Sequence, residues 1–90
     1  MGGLSLGDAL ALCVVLAERD RTRYARAAVR WVARFLAETP DASLEEAQLV
    51  TGALAALPSA PEVALPMLRA FVGARKLVTV QSVFEDYVVV

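Results

Sequence analysis

An all-α fold, a small bundle of four to five helices, is what these 90 residues predict, and three observations carry the expectation. Ser5, Asp20 and Ser43 stand as helix-capping residues just before apolar stretches. Between those caps and the prolines, apolar residues recur at helical spacing. Val-rich composition, which favours strand, is confined to the tail from Leu77 to Val90. A chain of this length makes one domain, residues 1–90.

The first helix is expected from about Leu6 to Glu18. Ser5 and Asp8 form a capping box in which Asp stands for Glu. Leu6, Leu10, Cys13, Leu16 and Ala17 share one face, while Leu12, Val14 and Val15 make the other sides apolar too. A helix apolar nearly all round is buried on several sides or lies in an interface.

Asp20 caps a second helix over about Arg21 to Glu38, which stops before Pro40 because the residue preceding proline avoids helical angles. Tyr24, Ala28, Trp31 and Phe35 stack on one face, and Ala25, Val29, Val32 and Leu36 widen the apolar arc beside it.

Ser43 with Glu46 is a full capping box and opens a third helix that ends at Pro58. The short link from the second helix implies antiparallel neighbours. Gly52 inside it costs about 1 kcal/mol relative to Ala unless a neighbouring helix needs the close approach.

A fourth helix begins at Pro61 with a kink at Pro66, or begins at Pro66, and ends near Lys76. In the tail, Val80, Val83, Phe84, Tyr87 and Val88 follow the helical template with Thr79 as a cap. Val78 to Gln81 also alternates as a strand would, so the segment is ambiguous, and a fifth short helix is the preferred reading.

Composition excludes several function classes. With no His and only Cys13, one chain can build neither a Cys/His zinc site nor a disulfide framework. The missing His also removes the usual base for nucleophilic catalysis. Cys13 lies in the apolar run Ala9 to Ala17 and reads as a small buried hydrophobe. That run is far shorter than the roughly 20 residues of a membrane helix. Glu45-Glu46 and Glu85-Asp86 are adjacent pairs whose side chains diverge on a helix, and the five glycines lack phosphate-loop spacing. The expectation is a soluble, cytoplasmic, non-enzymatic protein with no cofactor, no metal and no membrane segment.

Arg19, Arg23, Arg26, Arg30 and Arg34 are spaced by three and four, so a continuous helix would align them over about 22 Å. That stripe could hold an anionic partner, nucleic-acid phosphates included. A solvated face is the simpler reading, and the stretch from Glu38 to Glu62, five acidic residues with no basic one, could neutralise the stripe. The sequence pI of about 5.3 argues against general DNA binding. A third helix bearing Gln48 and Thr51 but no Arg or Lys would be a poor base reader. Trp31 and Phe35 could line a small-molecule pocket, although their spacing fits core better.

Counted with Gly and without Tyr, apolar residues are 55 of the 90, or 61%, against roughly 45–50% in ordinary domains. A body this small cannot bury all of that surface alone. The expected function is therefore a helical interaction or assembly module that self-associates or binds another protein, with nucleic-acid association through the Arg stripe as the alternative. The expected contact residues are Leu6, Leu10, Leu12, Val14, Val15 and Leu16 of the first helix, with Phe84, Tyr87 and Val88 of the tail.

Overall fold

A computed structural model describes residues 4–77 as four helices with no strand among them. The proposed fifth helix, and with it Phe84, Tyr87 and Val88, lies outside the described residues. Helix α1 (Leu6–Arg19) opens where Ser5 Oγ accepts from the Asp8 backbone N–H at 3.1 Å. Asp20 alone joins it to α2 (Arg21–Glu38). Its extended backbone breaks the helix, its N–H donates to the Leu16 carbonyl, and its carboxylate accepts from the Arg23 N–H at 3.2 Å. One residue thus closes one helix and opens the next, which folds α2 back along α1.

Helix α3 (Leu44–Ala56) is capped by Ser43 Oγ, which accepts from the Glu46 N–H at 3.0 Å. Helix α4 (Pro61–Arg75) starts at Pro61, the earlier of the two expected starts, and carries Pro66 inside it. Proline at the first helical position loses no bond, because that N–H has no intrahelical partner anyway. Pro66 leaves only the Glu62 carbonyl without its helical donor, in an exposed first turn where water can serve. Lys76 ends α4 in the left-handed region, at φ 54°, while the Leu77 N–H donates to the Val72 carbonyl at 3.0 Å. This is the Schellman closure, with Lys where glycine would be unstrained.

Helices α1 and α2 form one antiparallel hairpin, α3 and α4 another. Their inner faces merge into one core that includes Leu10 and Val14 of α1, Phe35 of α2, Val50 of α3 and Leu68 of α4, each at most 2% exposed. Trp31 and Phe35 stack at 5.4 Å, and Phe71 of α4 meets both edge-on at 5.8 and 5.3 Å. That aromatic cluster holds the two hairpins together. The Trp31 indole N–H donates to the Leu6 carbonyl at 2.9 Å, so burying the ring leaves no donor unpaired.

Gly52 serves no close approach. A Cβ there would meet nothing within 4 Å, and the residue is exposed.

Candidate functional site

A large open apolar feature among the described residues is the seam between α2 and α3. These helices run antiparallel, as the short link implied: Tyr24 reaches the Leu54 carbonyl, and Arg21 Nη2 donates to the Pro58 carbonyl at 3.2 Å. Each nevertheless packs more closely on its hairpin partner than on the other. On α2 the seam side carries Ala25, Val29, Val32 and Leu36, and α3 answers with Thr51, Leu54, Ala55 and Pro58. Side chains this short cannot fill the space. A groove of about 650 Å³ therefore runs from Leu36 at one end to Arg21 and Pro58 at the other. Val29 is 70% exposed and Leu36 48%.

The groove floor explains one buried phenol. Pro58 has no N–H, so the Leu54 carbonyl four residues earlier loses its helical donor. The Tyr24 hydroxyl donates to that carbonyl instead. Burial, with a smaller push from Cys13, raises the Tyr24 pKa to about 12, so it remains a donor at any ordinary pH.

The one charged residue lining the groove is Arg21. Arg26 and Arg30 do not line it, but by helical position they follow Ala33 round α2, just outside the apolar strip. Both are exposed and have no ion-pair partner among the described residues. The expected five-residue stripe is shorter than the spacing implied. Arg19 belongs to α1, and the extended Asp20 interrupts the helix between it and the others. Arg23 lies 3.6 Å from Asp20, and Arg34 pairs with Glu38 at 2.6 Å.

The stripe thus neutralises Glu38 of the acidic segment through Arg34, while Asp41 and Glu46 are neutralised from elsewhere. Arg75, at the end of α4, grips the Glu46 carboxylate through two nitrogens and reaches both Asp41 oxygens at 3.2 Å. Its guanidinium also lies 5.8 Å from the centre of the Phe35 ring. The bond from Arg75 holds the Glu46 carboxyl below its ordinary range, against partial desolvation, and Glu46 in turn raises the Arg75 pKa. Glu46 is therefore more than a capping partner, since it ties the start of α3 to the end of α4.

The residues expected to form the interface divide. Leu10 is fully buried and Val14 is 2% exposed, so both belong to the monomer core and neither can meet a partner. The reason is the single-residue turn at Asp20, which lays α2 along α1, so that both residues join the core shared with α3 and α4. Leu6, Val15 and Leu16 are half-buried, and Leu12 is 46% exposed. Trp31 and Phe35 are likewise core, so the pocket they were considered for does not form around them. Cys13 is 2% exposed, and burial pushes its thiol up to about 11, which makes it unreactive.

Val29, Ala33, Leu36, Thr51 and Ala55 were not singled out from sequence as site residues. The signal was the width of the apolar arc on α2, broader than one neighbouring helix can cover. Two other depressions exist among the described residues. One of about 560 Å³ lies between α3 and α4 and is bordered by Glu45 and Glu46, and one of about 230 Å³ lies at the Pro58 end. No group of three or more His, Cys, Asp or Glu that could hold a metal ion occurs among the described residues, and no described helix is long and apolar enough to cross a membrane. Compared with known proteins, the chain matches no family model, no curated protein and no solved structure.

Proposed function

We propose that this chain is a non-enzymatic helical interaction module that self-associates through the α2–α3 groove. The observation that carries the reading is the apolar strip of Val29, Val32 and Leu36, which borders a groove of about 650 Å³ among the described residues. Contiguous apolar surface in water is costly, and covering it with a second apolar surface drives association. A rigid floor, with Tyr24 and Arg21 bonded across it, keeps the groove formed before a partner arrives.

The test is mass by light scattering across micromolar concentrations. A dimer that Val29→Asp returns to monomer is the expected result. A monomer at every concentration overturns self-association.

A second reading, contact with nucleic-acid phosphates, draws on Arg26 and Arg30, which have no ion-pair partner among the described residues. Two such arginines supply little counterion release compared with the several contacts that give steep salt dependence. Failure of Arg26→Ala/Arg30→Ala to change nucleic-acid binding at low salt would dispose of it.

A further inference from the structure

We propose that residues 78–90 of this same chain occupy the α2–α3 groove, with Val80, Phe84 and Tyr87 against Val29 and Leu36, and compete there with a second copy. The proposal rests on the reading of that groove as a docking surface. Four observations support it.

Position comes first. Arg75 is bonded to Asp41 in the α2–α3 connection and lies over Phe35, the residue before Leu36. The chain therefore leaves α4 at the end of the bundle where the groove opens beside Leu36. Length agrees: thirteen residues in helical form span about 20 Å, and the groove follows α2 from Arg21 to Leu36, about 22 Å. Pattern agrees as well, because Val80, Val83, Phe84, Tyr87 and Val88 make one apolar helical face.

Charge selects this groove over its rival. Residues 78–90 carry Glu85 and Asp86 and no basic residue. At 100° per residue these two acids flank the apolar face on opposite sides, so either orientation along the groove turns one carboxylate toward the side of α2 that carries the exposed Arg26 and Arg30. The α3–α4 depression is bordered instead by Glu45 and by a Glu46 already held by Arg75, and it would repel the same segment. The cleft near Pro58 is smaller, about 230 Å³, and lies at the opposite end of the bundle.

A segment tethered beside its own groove acts at an effective concentration in the millimolar range. A second copy at micromolar concentration must displace it, so the tail sets the apparent dimer affinity.

The experiment uses the full chain, isotope-labelled for NMR, with a spin label on Ser82→Cys. Cys13, buried and with a raised pKa, leaves position 82 as the labelling site. Line broadening is expected at Val29, Ala33 and Leu36 and not at Leu49 or Ala70, and it should persist when the labelled chain is diluted with excess unlabelled chain. Charge reversal by R26E/R30E should reduce the broadening several-fold, and E85R/D86R on that background should restore part of it. Phe84→Asp should strengthen the dimer several-fold by freeing the groove.

Broadening seen only between chains, or a dimer weakened by Phe84→Asp, would place the tail in the second copy and overturn the proposal. Absent broadening at Val29 and Leu36 overturns it too, while a dimer still broken by Val29→Asp leaves the docking reading standing. If R26E/R30E leaves the broadening unchanged, the role given to the arginines is overturned.

Discussion

Two faces of α2 carry the same kind of residue and meet opposite fates. Tyr24, Ala28, Trp31 and Phe35 are at most 9% exposed, whereas Val29 and Leu36, a fraction of a turn away, are 70% and 48% exposed. The difference lies in what stands opposite. The inner face meets Phe71 and the core of α1, large groups that interlock with its rings. The outer face meets Thr51 and Ala55, too short to reach across. Apolar character at helical spacing thus marks a surface for burial without saying which neighbour buries it.

The arginines repeat the contrast. Arg75, 21% exposed, satisfies two carboxylates at once, while Arg26 and Arg30 stand exposed on α2 without an ion-pair partner among the described residues. The same residue type serves as an internal tie at one place and as surface charge at another. Which role it takes depends on carboxylates far away in sequence.

Substitutions on the two faces of α2 should separate stability from association. Phe35→Ala should cost about 3–5 kcal/mol in urea unfolding, because it removes a fully buried ring and leaves a cavity between α2 and α4. Val29→Asp on the outer face should change stability by less than about 0.5 kcal/mol yet abolish the proposed dimer. An equal loss of stability in both variants would contradict the division.

Tyr24→Phe comes next, at about 1–2 kcal/mol, because it strands the Leu54 carbonyl that Pro58 cannot serve. Calorimetry of that variant beside Pro58→Ala checks the cause. Restoring the residue-58 N–H should shrink the cost of losing the hydroxyl.

Glu46→Gln should be felt mainly in the pH profile. The folded pKa of Glu46 lies below its unfolded value, so the stabilisation is present above about pH 4.3 and fades as pH falls through the folded value. The variant should lose stability at pH 7 and show a flatter acid limb. A limb as steep as that of the parent chain would mean that other carboxylates carry the acid response.

Two surface changes should stabilise slightly. Gly52→Ala replaces a helical glycine where a methyl meets nothing within 4 Å, a gain of up to about 1 kcal/mol. Lys76→Gly relieves the left-handed C-terminal residue of α4, a gain of about 1 kcal/mol. Neither lies in the groove, so the dimer mass should not move.

Caps, prolines and spacing sufficed to read four helices, because each of those signals acts within one helical turn. Ser5, Asp20 and Ser43 bond the backbone three residues on, and Pro61 fits a position that any helix leaves open. The inward placement of Tyr24, Trp31 and Phe35 was legible for the same reason, and so was the burial of Cys13.

The open groove was not legible, because it depends on what faces what. Leu10 and Val14 were expected at a partner surface and Val29 and Leu36 were not, yet the turn at Asp20 lays α2 over the first pair and leaves the second beside a row of short side chains. Of the acidic stretch only Glu38 pairs with the Arg stripe, through Arg34 one helical turn away, whereas the end of α4 brings Arg75 to Glu46 and Asp41. Local rules operate over three or four residues and can be read along the chain. Burial and ion pairing join residues some thirty apart, and the packing of two hairpins settles them.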